Sequence, residues 1–142
     1  MIIKDGIFYG ISEEWYESTF PQKEKIKVSL MIPETVTTIA NDAFQSNYTN
    51  AKKSFKCLTK SDFDVVSIDF TNALNLTRIN TQAAMNCTSL TGLLDLSHIK
   101  VTYIGKSTFN GYTNLTGVIF PSSLKYIGDQ EGGSVFKDCT DL

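Results

Sequence analysis

Four short stretches share one alternation of apolar and polar positions: Val36-Thr37-Thr38-Ile39, Leu76-Thr77-Arg78-Ile79, Val101-Thr102-Tyr103-Ile104 and Leu124-Lys125-Tyr126-Ile127. Two apolar residues flank two that accept charge or hydroxyl, and the last is isoleucine every time. Downstream, apolar residues recur three apart: Ala84, Cys87 and Leu90, then Phe109, Tyr112 and Leu115, then Phe136, Cys139 and Leu142. Phe44 marks the same slot in the first copy. That spacing puts such residues on one face of a short helical or 3₁₀ turn. A third component comprises Leu30-Met31-Ile32, Ile68-Asp69-Phe70, Leu94-Asp95-Leu96 and Val118-Ile119-Phe120. Apolar residues there flank a variable middle position, the alternation of a strand with one buried face. Pro33 and Pro121 stop two of these strands, since proline cannot donate to a ladder. Gly105 and Gly128 follow two of the isoleucines, which suits a turn needing unusual backbone angles.

Together these components recur with a period in the low twenties, the mark of a repeat architecture. One unit cannot bury its own apolar face. Stacking turns each slot into a ladder, isoleucine on isoleucine, with Phe44 below Ala84 below Phe109 below Phe136. Extra residues near 47–62 and at 129–133 map to loops, because stacked slots cannot absorb them. Residues 1–27 read as an N-terminal cap and polar linker. Residues 2–11 form two strands around Asp5-Gly6, a favoured hairpin dipeptide. The polar stretch 12–27 holds the single tryptophan, Trp15. Residues 28–142 then carry about four repeats. Leu142 fills a slot with nothing above it, so the expectation is an uncapped C-terminal end in a fragment of a longer protein, open to self-association.

Composition narrows the function classes. A chain of 142 residues with 42% hydrophobic and 20% charged residues fits one folded domain. A net charge of −2 argues against nucleic acid as a partner. No apolar run approaches the ~20 residues of a membrane span, and the first residues lack the pattern of a signal peptide. Cys57, Cys87 and Cys139 form an odd set without a C-x-x-C pair, which is neither a disulfide framework nor a zinc site. Cys87 and Cys139 share a slot with Tyr112, so the position reads as apolar packing.

The run V-I-F-P-S-S-L-K-Y-I-G, the closing S-V-F-K-D-C-T-D-L and the segment M-I-P-E-T-V-T-T-I-A-N-D-A-F at 31–44 resemble the BspA-like leucine-rich repeats. The recurring unit of that class is I-x-I-P-x-x-V-x-x-I-G-x-x-A-F-x-x-C-x-x-L. The resemblance covers residues 28–44 and 66–142. Residues 45–65 depart from it, Ala84 replaces the aromatic, and Tyr112 replaces the cysteine. Pattern and resemblance together predict an α+β repeat protein. This is a leucine-rich-repeat solenoid with short parallel strands on one face, helical or 3₁₀ turns on the other, and an N-terminal β-hairpin cap. The resemblance further implies a cell-surface or secreted protein that adheres to host surface or matrix proteins.

Candidate chemistry is sparse. His98, the single histidine, sits in Leu96-Ser97-His98-Ile99 with no nearby cysteine or paired carboxylates, and reads as a solvated loop residue. No G-x-S-x-G, G-x-x-x-x-G-K-[ST] or H-E-x-x-H run occurs. The acidic, glycine-rich stretch 129–133 lacks calcium-loop spacing. Sequons at Asn47, Asn75, Asn86 and Asn114 match turn composition and read as incidental. No catalytic, metal or cofactor residue is therefore assigned, and an enzyme is not expected. Lys52, Lys53, Lys56 and Lys60, interleaved with Phe55 and Phe63, form a weaker candidate patch for an acidic partner. The stronger candidate is the outward strand row Met31, Asp69, Asp95 and Ile119, because extended strand faces of repeat stacks commonly carry binding. The expected function is a non-enzymatic protein-binding module. The alternative is a structural or scaffolding segment with no ligand of its own.

Overall fold

A computed structural model of the protein describes residues 1–10, 18, 26–44, 63–85, 87, 90–129 and 133–142. The insertion near 47–62 with its four lysines, Cys57, Trp15, and the sequons at Asn47 and Asn86 lie outside the described residues. The elements among the described residues are ten strands: β1 (Ile2–Lys4), β2 (Ile7–Gly10), β3 (Ile26–Met31), β4 (Thr38–Ile39), β5 (Phe63–Asp69), β6 (Arg78–Ile79), β7 (Thr91–Asp95), β8 (Tyr103–Ile104), β9 (Asn114–Ile119) and β10 (Tyr126–Ile127).

The four-residue pattern builds the largest sheet, ordered β1-β2-β4-β6-β8-β10. β1 and β2 form an antiparallel hairpin around Asp5 and Gly6, both at positive φ. Every later pairing is parallel and in register, so Phe8, Ile39, Ile79, Ile104 and Ile127 stand in one column. Phe8, Ile39, Ile79 and Ile104 are buried, whereas Ile127, on the edge strand, is 47% exposed. The amides of Ala40, Asn80, Gly105 and Gly128 donate to the carbonyls of Phe8, Ile39, Ile79 and Ile104 at 2.8–3.0 Å, tying each rung to the one before. A parallel column beside it holds Thr37, Thr77 and Thr102. Their hydroxyls donate to the carbonyls of Gly6, Thr37 and Thr77. Threonine therefore supplies a second cross-rung bond where its side chain is half in water.

The expected helical or 3₁₀ turns are corrected by the structure, and with them the α+β class. Among the described residues no helix occupies those slots; the architecture there is strand and turn. The physical cause is the destination of the backbone amides. Ala83, Cys87 and Leu90 donate three residues back, to Asn80, Ala84 and Cys87. The intervening amides of Gln82 and Ala84 reach across to Lys106 and Thr108 in the next rung. Phe44 and Phe109 likewise donate across, to Ala83 and Val135. A helix would need all of those donors for itself. Asp42, Gln82 and Ser107, each three residues past its isoleucine, sit at φ 54–58°, which also breaks any right-handed helix. The spacing of three survives because single turns chained end to end still return every third side chain to the core.

Gly105 corrects a smaller expectation. It is not among the positive-φ glycines, although Gly128 is. A Cβ on Gly105 would lie 2.4 Å from the Thr81 amide nitrogen, so the residue is small because the preceding rung passes against it. The core between the strand and turn layers holds the isoleucine column, Leu30, Ile32, Leu76, Leu96 and Val101, together with Phe44, Phe70 and Phe109. Phe8 stacks on Phe44 at 4.9 Å and Phe109 on Phe136 at 5.6 Å. Ala84 stands between the two aromatic pairs in the ladder.

Candidate interaction groove

The outward strand row starts from alternation. In β3 and β5, Leu30 pairs with Ile68 and Met31 with Asp69. In β7 and β9, Leu94 pairs with Val118 and Asp95 with Ile119. Leu30 and Leu94 are buried, so Met31 and Asp95 between the inward positions face out. The predicted row is therefore present, but in two halves. β3–β5 and β7–β9 are separate two-stranded sheets. Each carries a bulge, between Val28 and Ser29 and between Gly92 and Leu93.

Between the halves lies an open groove of about 470 Å³, lined by Ser29, Ser67, Asp69, Leu93, Asp95 and His98 among others. Asp69 accepts the Thr71 amide at 2.8 Å and Asp95 accepts the Ser97 amide at 2.9 Å. Hydrogen bonds from Thr71 hold the Asp69 carboxyl below the ordinary carboxylate value, and those from Ser97 do the same for Asp95, with a smaller pull from His98 on each. Both carboxylates are thus ionised and fixed in direction by their own turns. The Ser29 and Ser67 hydroxyls bond to each other at 2.6 Å along the rim. Met31, Leu93 and Ile119 are 50%, 59% and 43% exposed, giving apolar surface around two fixed negative charges.

His98, which reads as a solvated loop residue in the sequence, is exposed. Asp95 lies three residues before it in the sequence, but no local pattern brings it to Asp69 of β5 across the groove. The arrangement can hold a cationic or hydrogen-donating group beside exposed apolar side chains. Among the described residues no group of three or more His, Cys, Asp or Glu side chains could hold a metal ion. No helix among them is long and apolar enough to cross a membrane.

The cysteine slot also differs in chemistry from simple packing. Cys87 is buried and its thiol donates to the Phe44 carbonyl at 2.7 Å; the Cys139 thiol donates to the Phe109 carbonyl at 3.1 Å. Each ties its turn to the preceding rung. Burial raises the Cys139 thiol pKa and pushes the Tyr112 phenol well above its ordinary value, so both stay protonated at neutral pH.

No curated protein matches the chain. Among solved structures, a leucine-rich repeat protein from Bacteroides ovatus aligns at 25% identity and a TM-score of 0.37. The alignment covers 82% of this chain and 36% of that one, so the chain spans little more than a third of that protein. A family profile described as BspA type leucine rich repeat region (6 copies) matches residues 13–142. With the profile covering most of the sequence and the isoleucine rungs stacked in register, the chain belongs to the BspA-type leucine-rich repeat family.

Proposed function

We propose that the chain is a protein-binding repeat module of a cell-surface or secreted adhesion-type protein, and that it captures its partner along the row Met31, Asp69, Asp95 and Ile119. Leucine-rich repeats generally serve protein–protein interaction without catalysis, which supports the class. The observation that carries the site is the groove, where two ionised carboxylates lie with exposed Leu93, while exposed Met31 and Ile119 pair with those aspartates from the flanking strands. Exposed apolar side chains next to fixed polar groups are a composition that protein interfaces use. The chemistry favours a basic segment with apolar neighbours, carried by a host surface or matrix protein. Charge reversal at Asp69 and Asp95 to lysine, followed by surface plasmon resonance against host matrix proteins, tests this. Loss of capture with the melting temperature held supports the groove. Unchanged capture of every ligand that binds the native chain removes it.

A second reading is self-association through β10. This edge strand exposes Tyr126 by 67% and Ile127 by 47%, and Phe120 and Leu142 are also exposed. An open apolar strand edge is a template for pairing with a second copy. Sedimentation of native chain and Ile127→Lys decides it: a concentration-dependent dimer present only in the native chain favours the reading, and monomers throughout contradict it.

A further inference from the structure

The groove is not the only exposed face with a consistent chemistry. In β4, β6, β8 and β10 the second residue of each two-residue strand is the isoleucine of the column, so the first faces outward. Register then lines up Lys4, Ile7, Thr38, Arg78, Tyr103 and Tyr126 across the whole six-stranded sheet. At the C-terminal half this row becomes cationic and aromatic. The Arg78 guanidinium lies 4.1 Å over the Tyr103 ring, and Tyr126, next in register, is 67% exposed.

The neighbouring column runs Thr37, Thr77, Thr102 and Lys125. Its threonine hydroxyls are committed to carbonyls of the preceding rung, which leaves Lys125 as its outward charge. Neither column contains a carboxylate. Asp129, beyond β10, is held by Lys106 at 3.5 Å and by the Gly133 amide, and does not neutralise the strip. A chain with net charge −2 has therefore concentrated cations and tyrosines on one rigid strip. Stacking on Tyr103 orients the guanidinium and leaves its N–H edge for a planar acceptor. Tyrosine and arginine are also the side chains that dominate binding energy at protein interfaces.

We propose that this strip, from Arg78 to Tyr126, docks an acidic, extended segment of a protein partner. A carboxylate meets the Arg78 edge, a second pairs with Lys125, and the apolar part of the segment lies on the rings of Tyr103 and Tyr126. A nucleic-acid strand could use the same stacking and cations, but the chain's negative net charge opposes a polyanionic backbone. The proposal stands apart from the groove reading, because strip and groove share no residue.

The test uses the full chain and a fluorescein-labelled peptide of alternating glutamate and alanine, with oligothymidylate as the comparison. Anisotropy at low salt should show binding of the acidic peptide and not of oligothymidylate. The double variant Arg78→Glu, Lys125→Glu should lower its affinity about tenfold or more, and Tyr126→Ala about threefold. Amide chemical-shift changes should fall on β6, β8 and β10. The Asp69→Lys, Asp95→Lys variant should still bind through the strip, which separates this result from that of the groove. Circular dichroism confirms that each variant is folded, and Arg78→Gln replaces the reversal if it is not. The proposal is overturned by no binding of the acidic peptide, by equal or tighter binding of oligothymidylate, or by affinity unmoved in the folded strip variants.

Discussion

The six-stranded sheet and the pair of two-stranded sheets are built from the same repeats, yet only the first is continuous. Its four repeat strands, β4, β6, β8 and β10, are two residues long, and each adds an isoleucine to the one column that Phe8 of β2 begins. The strands of the other system run five to seven residues, contain bulges, and part between β5 and β7 to open the groove. The contrast separates two demands on one sequence. Positions that close the stack repeat faithfully, because each must fit the rung on either side. Positions on the divided sheets hold Met31, Asp69, Asp95 and Ile119 in turn, because they face outward and chemistry is free to vary.

The sharpest way to break this contrast is to damage the stack. Phe109→Ala removes a buried ring that stacks on Phe136 and should cost ~3–5 kcal/mol in chemical denaturation. In a stack of rungs the loss should spread mainly to the two neighbours. Gly105→Ala adds one methyl but drives it against the backbone of Asn80 and Thr81, where no side chain can yield. It should cost about 2–3 kcal/mol, read as a fall in melting temperature. A null effect there would mean that the rungs are not in contact at this point.

The cysteine slot sits between the two extremes. Cys87→Ala loses both volume and the bond to the Phe44 carbonyl and should cost about 1–3 kcal/mol. Cys87→Ser, which keeps a donor, should recover part of that by the same denaturation assay. If serine proves worse than alanine, the slot is packing alone. The smallest effect on stability belongs to the groove. Asp69→Lys with Asp95→Lys changes only outward-facing side chains and should leave the melting temperature little changed while abolishing capture. The pH profile has a defined sign. Both carboxyls titrate below the ordinary value of 3.8, so their stabilising hydrogen bonds are intact above it. They are lost as pH falls through the lower folded values. Loss of capture from these two groups should therefore begin only below that range, and a fall centred well above it would implicate other residues.

Much of this was legible in the residues. The isoleucine column could be found because one residue type recurs at a fixed place in each unit, and Met31, Asp69, Asp95 and Ile119 because alternation marks an outward face. The six-stranded sheet was not, since a two-residue strand is too short to show alternation. Arg78, Tyr103 and Tyr126 consequently looked like tolerant positions and not like one aligned row. The turns were misread for a related reason. Spacing of three is shared by a 3₁₀ helix and by chained single turns, and only the cross-rung bonds of Gln82, Ala84 and Phe109 tell them apart. Asp42, Gln82 and Ser107 gave no glycine to mark their left-handed backbone. The groove at His98 depends on where β5 and β7 part, which no local pattern encodes.

The account rests on the isoleucine column, and methyl spectroscopy reaches it directly. With isoleucine δ1 methyls selectively labelled, parallel strands about 4.8 Å apart should give cross-relaxation peaks from Ile39 to Ile79, Ile79 to Ile104 and Ile104 to Ile127. Peaks in that order, and none between Ile39 and Ile127, are the predicted result. Assigned methyls of these four residues that show no contact with one another would contradict it.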